Sequence, residues 1–141
     1  MRIIRRQKER GAALLETAIT IPIVLLISVG IFEFGRAYQT WQVLTNAARE
    51  GARISILSGK TDEEVRAAVT KYMSVGGLET ADVTINLDRN VDLGANNASQ
   101  VTVLFPYNFM VLNPIVRMVT PGSKTGEPIT MSAQALMRNE N

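Results

Sequence analysis

The sequence predicts an α+β fold in which one long N-terminal helix packs with its outer half on a small head containing a second helix and about three antiparallel strands. Three observations carry this prediction: an apolar run with two charged residues follows a basic start, three-to-four-residue apolar spacing continues beyond that run, and two-residue alternation dominates after residue 81. A chain of 141 residues provides one domain-sized core. We divide it into a basic leader (1–11), a transmembrane helix half (12–34), an amphipathic helix extension (35–57) and a small α+β extracytoplasmic head (58–141).

The composition of the chain excludes most common catalytic mechanisms. The chain has 0 histidines and 0 cysteines, which excludes disulfides, thiolate nucleophiles and the commonest general base and metal ligands. A Ser-Lys hydrolase remains open by composition, but Ser58 and Lys60 do not have the Ser-x-x-Lys spacing that such enzymes use. We therefore expect no enzymatic activity, no cofactor, no metal and no small-molecule substrate.

The net charge of +2 is a property of the N-terminus. Five of the 15 basic residues lie in the first ten positions, and the chain after residue 11 carries more acidic than basic residues. A basic surface for nucleic acid is therefore not predicted.

Residues 12–34 form an apolar run in which Glu16 and Glu33 are the only charged residues. As a helix this run would be roughly 33 Å long, close to the ~30 Å hydrocarbon core of a bilayer. Because basic residues beside a first hydrophobic segment stay on the cytoplasmic side, the pattern predicts a single-pass protein with its N-terminus inside and its head outside.

Three interpretations of this run remain open. A cleavable secretory signal would have a small-x-small site at residues 28–30, although the helical pattern continues past it. A plain uncut anchor leaves Glu16 unexplained, because a carboxylate in lipid is costly without a partner. The third interpretation is a leader that ends at Gly11, followed by a small residue, Ala12, and by glutamate at the fifth position of the shortened chain, Glu16.

This third pattern resembles the recognition sequence of prepilin peptidases. The resemblance implies cleavage between Gly11 and Ala12 on the cytoplasmic face of the membrane. The new amine at Ala12 would lie four residues, about 6 Å along the helix, from Glu16. In a filament, the Glu16 carboxylate would then pair with the amine of a neighbouring subunit, which relieves the cost of its burial on assembly.

The helical pattern continues beyond the apolar run without a proline, and it predicts one helix from about residue 12 to about residue 56. Pro22 removes one intrahelical hydrogen bond and predicts a kink near residues 18–22. Tyr38 and Trp41 would either form an aromatic belt at the membrane surface or pack on the sheet. The apolar stripe of the outer half comprises Tyr38, Trp41, Leu44 or Thr45, Ala48, Ala52 and Ile56.

The segment EFGRAYQTWQVLTNAAREGAR at residues 33–53, together with RGAALLETAITIPIVLL at residues 10–26, resembles the TadE-like family. These are small pilin-like proteins of the tight adherence (Flp) pilus machinery. The resemblance implies a minor pilin or pseudopilin of the inner membrane that supports surface attachment. It also implies, as partners, a prepilin peptidase, platform proteins, a secretion ATPase and other pilin-like subunits.

The predicted head begins with a helix. The sequence TDEE at residues 61–64 is a capping box with acidic residues in the first turn, and Gly76 and Gly77 end the apolar spacing. Strands follow at residues 83–87, 101–105 and 129–137, with a long Asn- and Asp-rich connection at residues 88–99.

Two segments of the head are less regular. Pro106 is expected to stop the second strand. The apolar segment after it is either a short helix or turn under the sheet, or an exposed patch that docks on a neighbouring subunit. The aspartates at positions 82, 88 and 92 lack the spacing of a calcium loop, and residues 121–126 lack that of a P-loop.

Overall fold

The computed structural model describes residues 2–92, 94, 97–120 and 127–138, with side chains from residue 11 onward. The side chains of the basic leader and the loop at residues 121–126 lie outside the described residues. Two helices, a hairpin, a short third helix and a last strand follow one another, which confirms the α+β prediction. The elements are α1 (Arg2–Ser55), α2 (Asp62–Val75), β1 (Thr84–Asp92), β2 (Asn97–Tyr107), α3 (Leu112–Val119) and β3 (Ile129–Arg138).

Helix α1 is continuous from Arg2 to Ser55 and contains Pro22. It begins about ten residues earlier than the sequence pattern indicated, because the leader lacks proline and is rich in Arg, Lys, Gln and Glu, which are good helix formers. Within the apolar run, hydroxyl groups bond to the preceding turn: Thr17 donates to the Ala13 carbonyl and Ser28 to the Val24 carbonyl, each at 2.8 Å. This satisfies polar groups that lipid could not.

The three strands form one antiparallel sheet in the order β1-β2-β3. Across the sheet, Ile85 pairs with Val103, and Val103 pairs with Ala133. These residues point to one face, where α1 and α2 cover them, and the alternate residues of the strands face outward. The core is made by Leu44, Ala47, Ala48, Ala52, Val65, Val69, Met73, Ile85, Val101, Val103 and Ala133.

The buried stripe of α1 consists mainly of small residues and differs from the predicted stripe. Tyr38 and Trp41 are 61% and 44% exposed and lie beside each other with tilted rings whose centroids are 6.1 Å apart, so the expectation that they pack on the sheet is wrong. Small side chains let α1 approach the head closely, which large aromatic residues would prevent. The buried residues of the outer half are Ala37, Thr40, Leu44, Ala47, Ala48, Gly51, Ala52 and Ser55.

The hairpin between β1 and β2 is tighter than predicted. The expected long connection is wrong, because β1 extends to Asp92 and β2 starts at Asn97, with a register shift between Asp88 and Val91. Aspartate side chains support the irregular positions: Asp88 accepts a hydrogen bond from the Asn90 amide at 3.0 Å, and Asp92 from the Gly94 amide at 2.7 Å. Turn-forming residues here build a bulge and a short turn instead of a loop.

Pro106 does not stop β2, which continues to Tyr107 and pairs Pro106 with Thr130 of β3. The pairing of β2 with β1 ends at Leu104, so β2 has a neighbouring strand on one side only at Pro106. Proline is tolerated at such an edge because no ladder hydrogen bond is required on the open side.

The connection between α1 and α2 is closed by two sets of polar contacts. The predicted capping box is confirmed, since the Glu64 amide donates to Thr61 Oγ1 at 3.3 Å and the Thr61 amide donates to Glu64 Oε2 at 2.9 Å. The Arg89 guanidinium donates to Asp62 Oδ1 and to the carbonyls of Ser55 and Lys60, at 2.9 to 3.0 Å. These bonds hold the end of α1 against the start of α2.

Candidate membrane and assembly segment

The N-terminal part of α1 extends away from the head. Residues 11–28 are exposed, Val29 and Gly30 are half-buried, and Glu33 is the first buried residue after residue 11. The helix is long and apolar enough to cross a membrane by length and composition, with a mean hydropathy of 2.2 and 0% burial in its most apolar window. This arrangement fits a single-pass membrane protein.

The predicted processing and assembly residues lie on this free segment. Gly11, Ala12 and Glu16 are all exposed and follow one another on a single continuous helix, with Glu16 one turn beyond Ala12. Among the residues whose side chains are described, none bonds to Glu16. The Glu16 carboxylate is therefore exposed on the projecting helix and has no hydrogen-bond partner among the described side chains.

The structure reveals a second important glutamate, Glu33, which we did not single out as a site from the sequence. Its side chain is fully buried, and its two oxygens accept hydrogen bonds from the backbone amides of Met110 and Val111, each at 2.9 Å. Arg36 approaches Glu33 Oε2 at 3.9 Å. The one sequence signal was a glutamate at the end of the apolar run followed three residues later by an arginine.

These bonds join α1 to the segment that enters α3. The N-cap residue of α3, Val111, makes no side-chain cap hydrogen bond, and the Glu33 carboxylate accepts from the backbone amides of this residue and of Met110 before it. A negative charge at a helix N-terminus is favourable because the free amides and the helix dipole point toward it. Glu33 therefore fixes α3 at the level where the apolar run of α1 ends.

An aromatic cluster surrounds this junction. Phe109 meets Tyr107 and Phe34 edge to face, with ring centroids 5.2 Å and 6.1 Å apart, and the Arg36 guanidinium lies 5.9 Å from the centre of the Tyr107 ring. Burial raises the pKa of the Tyr107 phenol, with the positive charge of Arg36 opposing and the negative charge of Glu33 adding to the shift. Tyr107 Oη and one guanidinium nitrogen of Arg36 are buried without a hydrogen-bond partner among the described residues.

The described surface offers little for cofactor or metal chemistry. No group of three or more Asp or Glu residues within the described ranges is placed to hold a metal ion. An open cleft of about 380 Å³ lies beside the junction and is bordered by Arg36, Glu79, Asp82 and Tyr107 among others. Its charged rim mixes both signs, and it contains no nucleophile and base in hydrogen-bond contact.

Comparison with known proteins adds one finding. The model of the TadE-like protein family matches residues 11–53. The matched segment starts at Gly11, includes both glutamates of the apolar run and ends at Arg53, and it confirms the resemblance seen in the sequence. Neither the search of curated proteins nor the search of solved structures gave a match. The family match indicates a protein associated with the tight adherence pilus system.

Proposed function

From the TadE-like match over residues 11–53, we propose that this chain is a minor pilin or pseudopilin of a tight adherence pilus assembly that supports surface attachment. A prepilin peptidase cuts it between Gly11 and Ala12 on the cytoplasmic face. The chain sits in the inner membrane with its N-terminus inside and its head outside, and it enters the pilus through its apolar N-terminal helix.

One observation carries the proposal: an apolar helix about as long as a bilayer is thick projects from a folded head and carries, near its start, a glutamate that bonds to none of the described side chains. A plain anchor gains nothing from Glu16, since an isolated carboxylate in lipid costs free energy. An assembling subunit does gain, because the cost is removed only when the carboxylate meets a cation. Polymerisation in the correct axial position is thereby favoured over other helix contacts.

Cleavage supplies that cation in this proposal. The amine of Ala12 becomes positively charged when the peptide bond to Gly11 is hydrolysed, and it lies one helical turn before Glu16. On one helix the amine lies about one turn closer to the N-terminus than the carboxylate. A neighbouring subunit that is shifted by about one turn along the axis therefore brings its amine next to this carboxylate. Alanines at 12, 13 and 18 permit close approach of the helices there.

The partners in this proposal follow the family resemblance. They are the prepilin peptidase, the tight adherence platform proteins and secretion ATPase, other pilin-like subunits and the membrane itself. The proposal assigns the chain no enzymatic activity, no cofactor and no nucleic acid. Its chemistry consists of being cut, leaving the bilayer and packing against other subunits.

The alternative is an uncut single-pass envelope protein whose head is a tethered binding module that does not polymerise. The closely packed junction around Glu33 is compatible with it, because the head is held to α1 without any neighbour. The two functions differ in the fate of residues 1–11, which an uncut tether retains.

The assembly role is tested by Glu16→Ala, with Glu79→Ala as a control that removes an exposed carboxylate from the head. Membrane fractionation should show both variants inserted as well as the wild type. Sheared pili should contain the control at the normal level and Glu16→Ala at a strongly reduced level, because removing one partner of a buried ion pair costs about 3–5 kcal/mol. Equal amounts of Glu16→Ala and wild-type chains in pili would disprove the pairing role.

A further inference from the structure

Helix α3 and Met110, which precedes it, present apolar side chains that the head leaves uncovered. Met110, Ile115, Met118 and Val119, here called the α3 patch, are 63%, 38%, 77% and 72% exposed. The opposite side of this segment faces the protein, where Asn113 is buried and donates to Asn108 Oδ1 at 3.4 Å. Single exposed apolar residues are common on protein surfaces, but four within ten residues at one end of a domain form a surface that selects a partner.

The position of the α3 patch indicates which partner covers it. The two hydrogen bonds from Met110 and Val111 hold the start of α3 at Glu33, the last charged residue of the apolar run. Phe109 also contacts Phe34, and burial of α1 by the head begins at Val29. The patch therefore lies beside the last turns of the helix segment that is long enough to cross a membrane.

We propose that the α3 patch inserts into the headgroup and acyl-chain boundary of the phospholipid leaflet on the head side of the bilayer that α1 spans. Phospholipid is favoured over a second copy of the chain because α3 starts at Glu33, and the preceding α1 residues Ile31 and Phe32 are apolar, exposed and part of the segment that the bilayer would cover. An amphipathic helix lying in this boundary buries its apolar side and keeps its polar side in water or on protein.

The attachment of α3 to α1 explains how such a short helix binds lipid. Eight residues bury too little apolar area for a free peptide to remain on a bilayer. Here α1 already holds the patch at the membrane, so most of the translational and rotational cost of binding has been met. Insertion of the α3 patch then restricts the height and the tilt of the head relative to the bilayer.

This inference rests on α1 spanning a bilayer and not on cleavage at Gly11, so it applies to the cut and the uncut chain alike. It assigns Glu33 a positioning role: the carboxylate holds α3 at a fixed height relative to the apolar run. A head with a fixed height and tilt keeps Glu16, on the same helix, at one depth in the bilayer.

The test uses the absence of cysteine from the chain, which allows single labels. Four full-length variants carry an environment-sensitive fluorophore: Met118→Cys in the patch, Ile27→Cys in the apolar run, Val75→Cys as an equally exposed valine elsewhere on the head, and Ser58→Cys near the far end of α1. Each is reconstituted into phosphatidylcholine vesicles with or without phosphatidylcholine that carries a nitroxide on its acyl chain, so quenching reports contact with lipid.

We expect strong quenching of the Ile27→Cys and Met118→Cys labels, several-fold above that of the Val75→Cys and Ser58→Cys labels. Quenching at Ile27→Cys but only control-level quenching at Met118→Cys would overturn the inference while leaving the membrane span intact. Disulfide cross-linking of Met118→Cys chains without lipid quenching would assign the patch to a second copy and would also overturn it. No quenching at Ile27→Cys would contradict the span and with it both proposals.

Discussion

Two glutamates in the apolar run are accommodated in different ways. Glu33 is the one buried carboxylate among the described residues, and the chain satisfies it internally with two backbone amides. Glu16 is exposed and is left to the surroundings. Both residues have the same chemistry and lie in the same helix. Their environments differ because the head covers α1 only from Val29 onward.

Replacing Glu33 with alanine should destabilise the head. The substitution leaves the amides of Met110 and Val111 without their acceptor and removes the counter-charge of Arg36, with an expected loss of about 1–3 kcal/mol in the free energy of unfolding. Thermal unfolding of the full chain in detergent, followed by circular dichroism, measures this. Glu79→Ala, at an exposed carboxylate, should change stability by no more than about 0.5 kcal/mol, and equal losses in the two variants would contradict the role of Glu33.

Tyr107→Phe should leave the protein as stable as the wild type at neutral pH, or slightly more stable, because the buried hydroxyl has no partner among the described residues. The raised pKa of Tyr107 means that burial favours its neutral form. The stability that comes from burying the neutral phenol is therefore fully present below the unfolded-state pKa near 10.0 and is lost as the pH rises through the higher folded-state pKa.

The measurement is the unfolding midpoint of wild type, Tyr107→Phe and Tyr72→Phe between pH 8 and a pH above the unfolded tyrosine pKa of about 10. The wild type and Tyr72→Phe should lose stability at the alkaline end more steeply than Tyr107→Phe. Identical alkaline slopes for all three proteins would show that Tyr107 does not titrate in this way.

At the scale of elements, the contact of α1 with the head depends on side chains that are absent or small. A Cβ atom at Gly51 would lie 2.5 Å from Val69 Cγ2 and 3.2 Å from Val101 Cγ1, so α1, α2 and β2 meet at this glycine. At Gly35, which lies in the same helix, a Cβ atom would meet nothing within 4 Å. Both glycines lower the stability of the helix relative to alanine by the same amount, but only Gly51 is needed for close packing.

Substituting both glycines with alanine separates these roles. Gly51→Ala should destabilise the protein by about 1–3 kcal/mol, because Val69 and Val101 are buried and cannot move aside without strain. Gly35→Ala should stabilise it by up to about 1 kcal/mol, because alanine is the better helix former. The measurement is the unfolding midpoint of each variant in detergent, compared with that of the wild type. A stabilising Gly51→Ala would contradict the close packing of α1 on the head.

The elements that the sequence predicted correctly are those with a local physical signal. Periodicity identifies α1, and the capping box at Thr61 identifies the start of α2. The errors at Asp88 and Pro106 share a cause: turn residues and proline were interpreted from their intrinsic preferences, whereas their effect depends on whether a neighbouring strand is present. The bulge and the open edge are properties of the assembled sheet, so no local pattern indicates them.

The whole molecule combines a folded head with a projecting apolar helix. From the sequence we predicted the membrane-spanning part of α1 and the segment with Gly11, Ala12 and Glu16. The signal there is local, because a basic stretch is followed directly by an apolar run that contains a glutamate. The Glu33 junction was not predicted, since its partners at Met110 and Val111 lie almost eighty residues away and are backbone groups. A bond to a backbone amide leaves no signature in the identity of the donor residue.

The mature N-terminus tests the central claim most directly. Mass spectrometry of the protein purified from membranes and pili, with an N-terminal peptide assigned, should show a chain that lacks residues 1–11 and begins at Ala12. Gly11→Val should block this cut and retain the full mass, whereas Gly30→Val, within the same apolar run, should not. An intact wild-type chain as the form present in assembled pili would contradict the claim that cleavage creates the partner of Glu16.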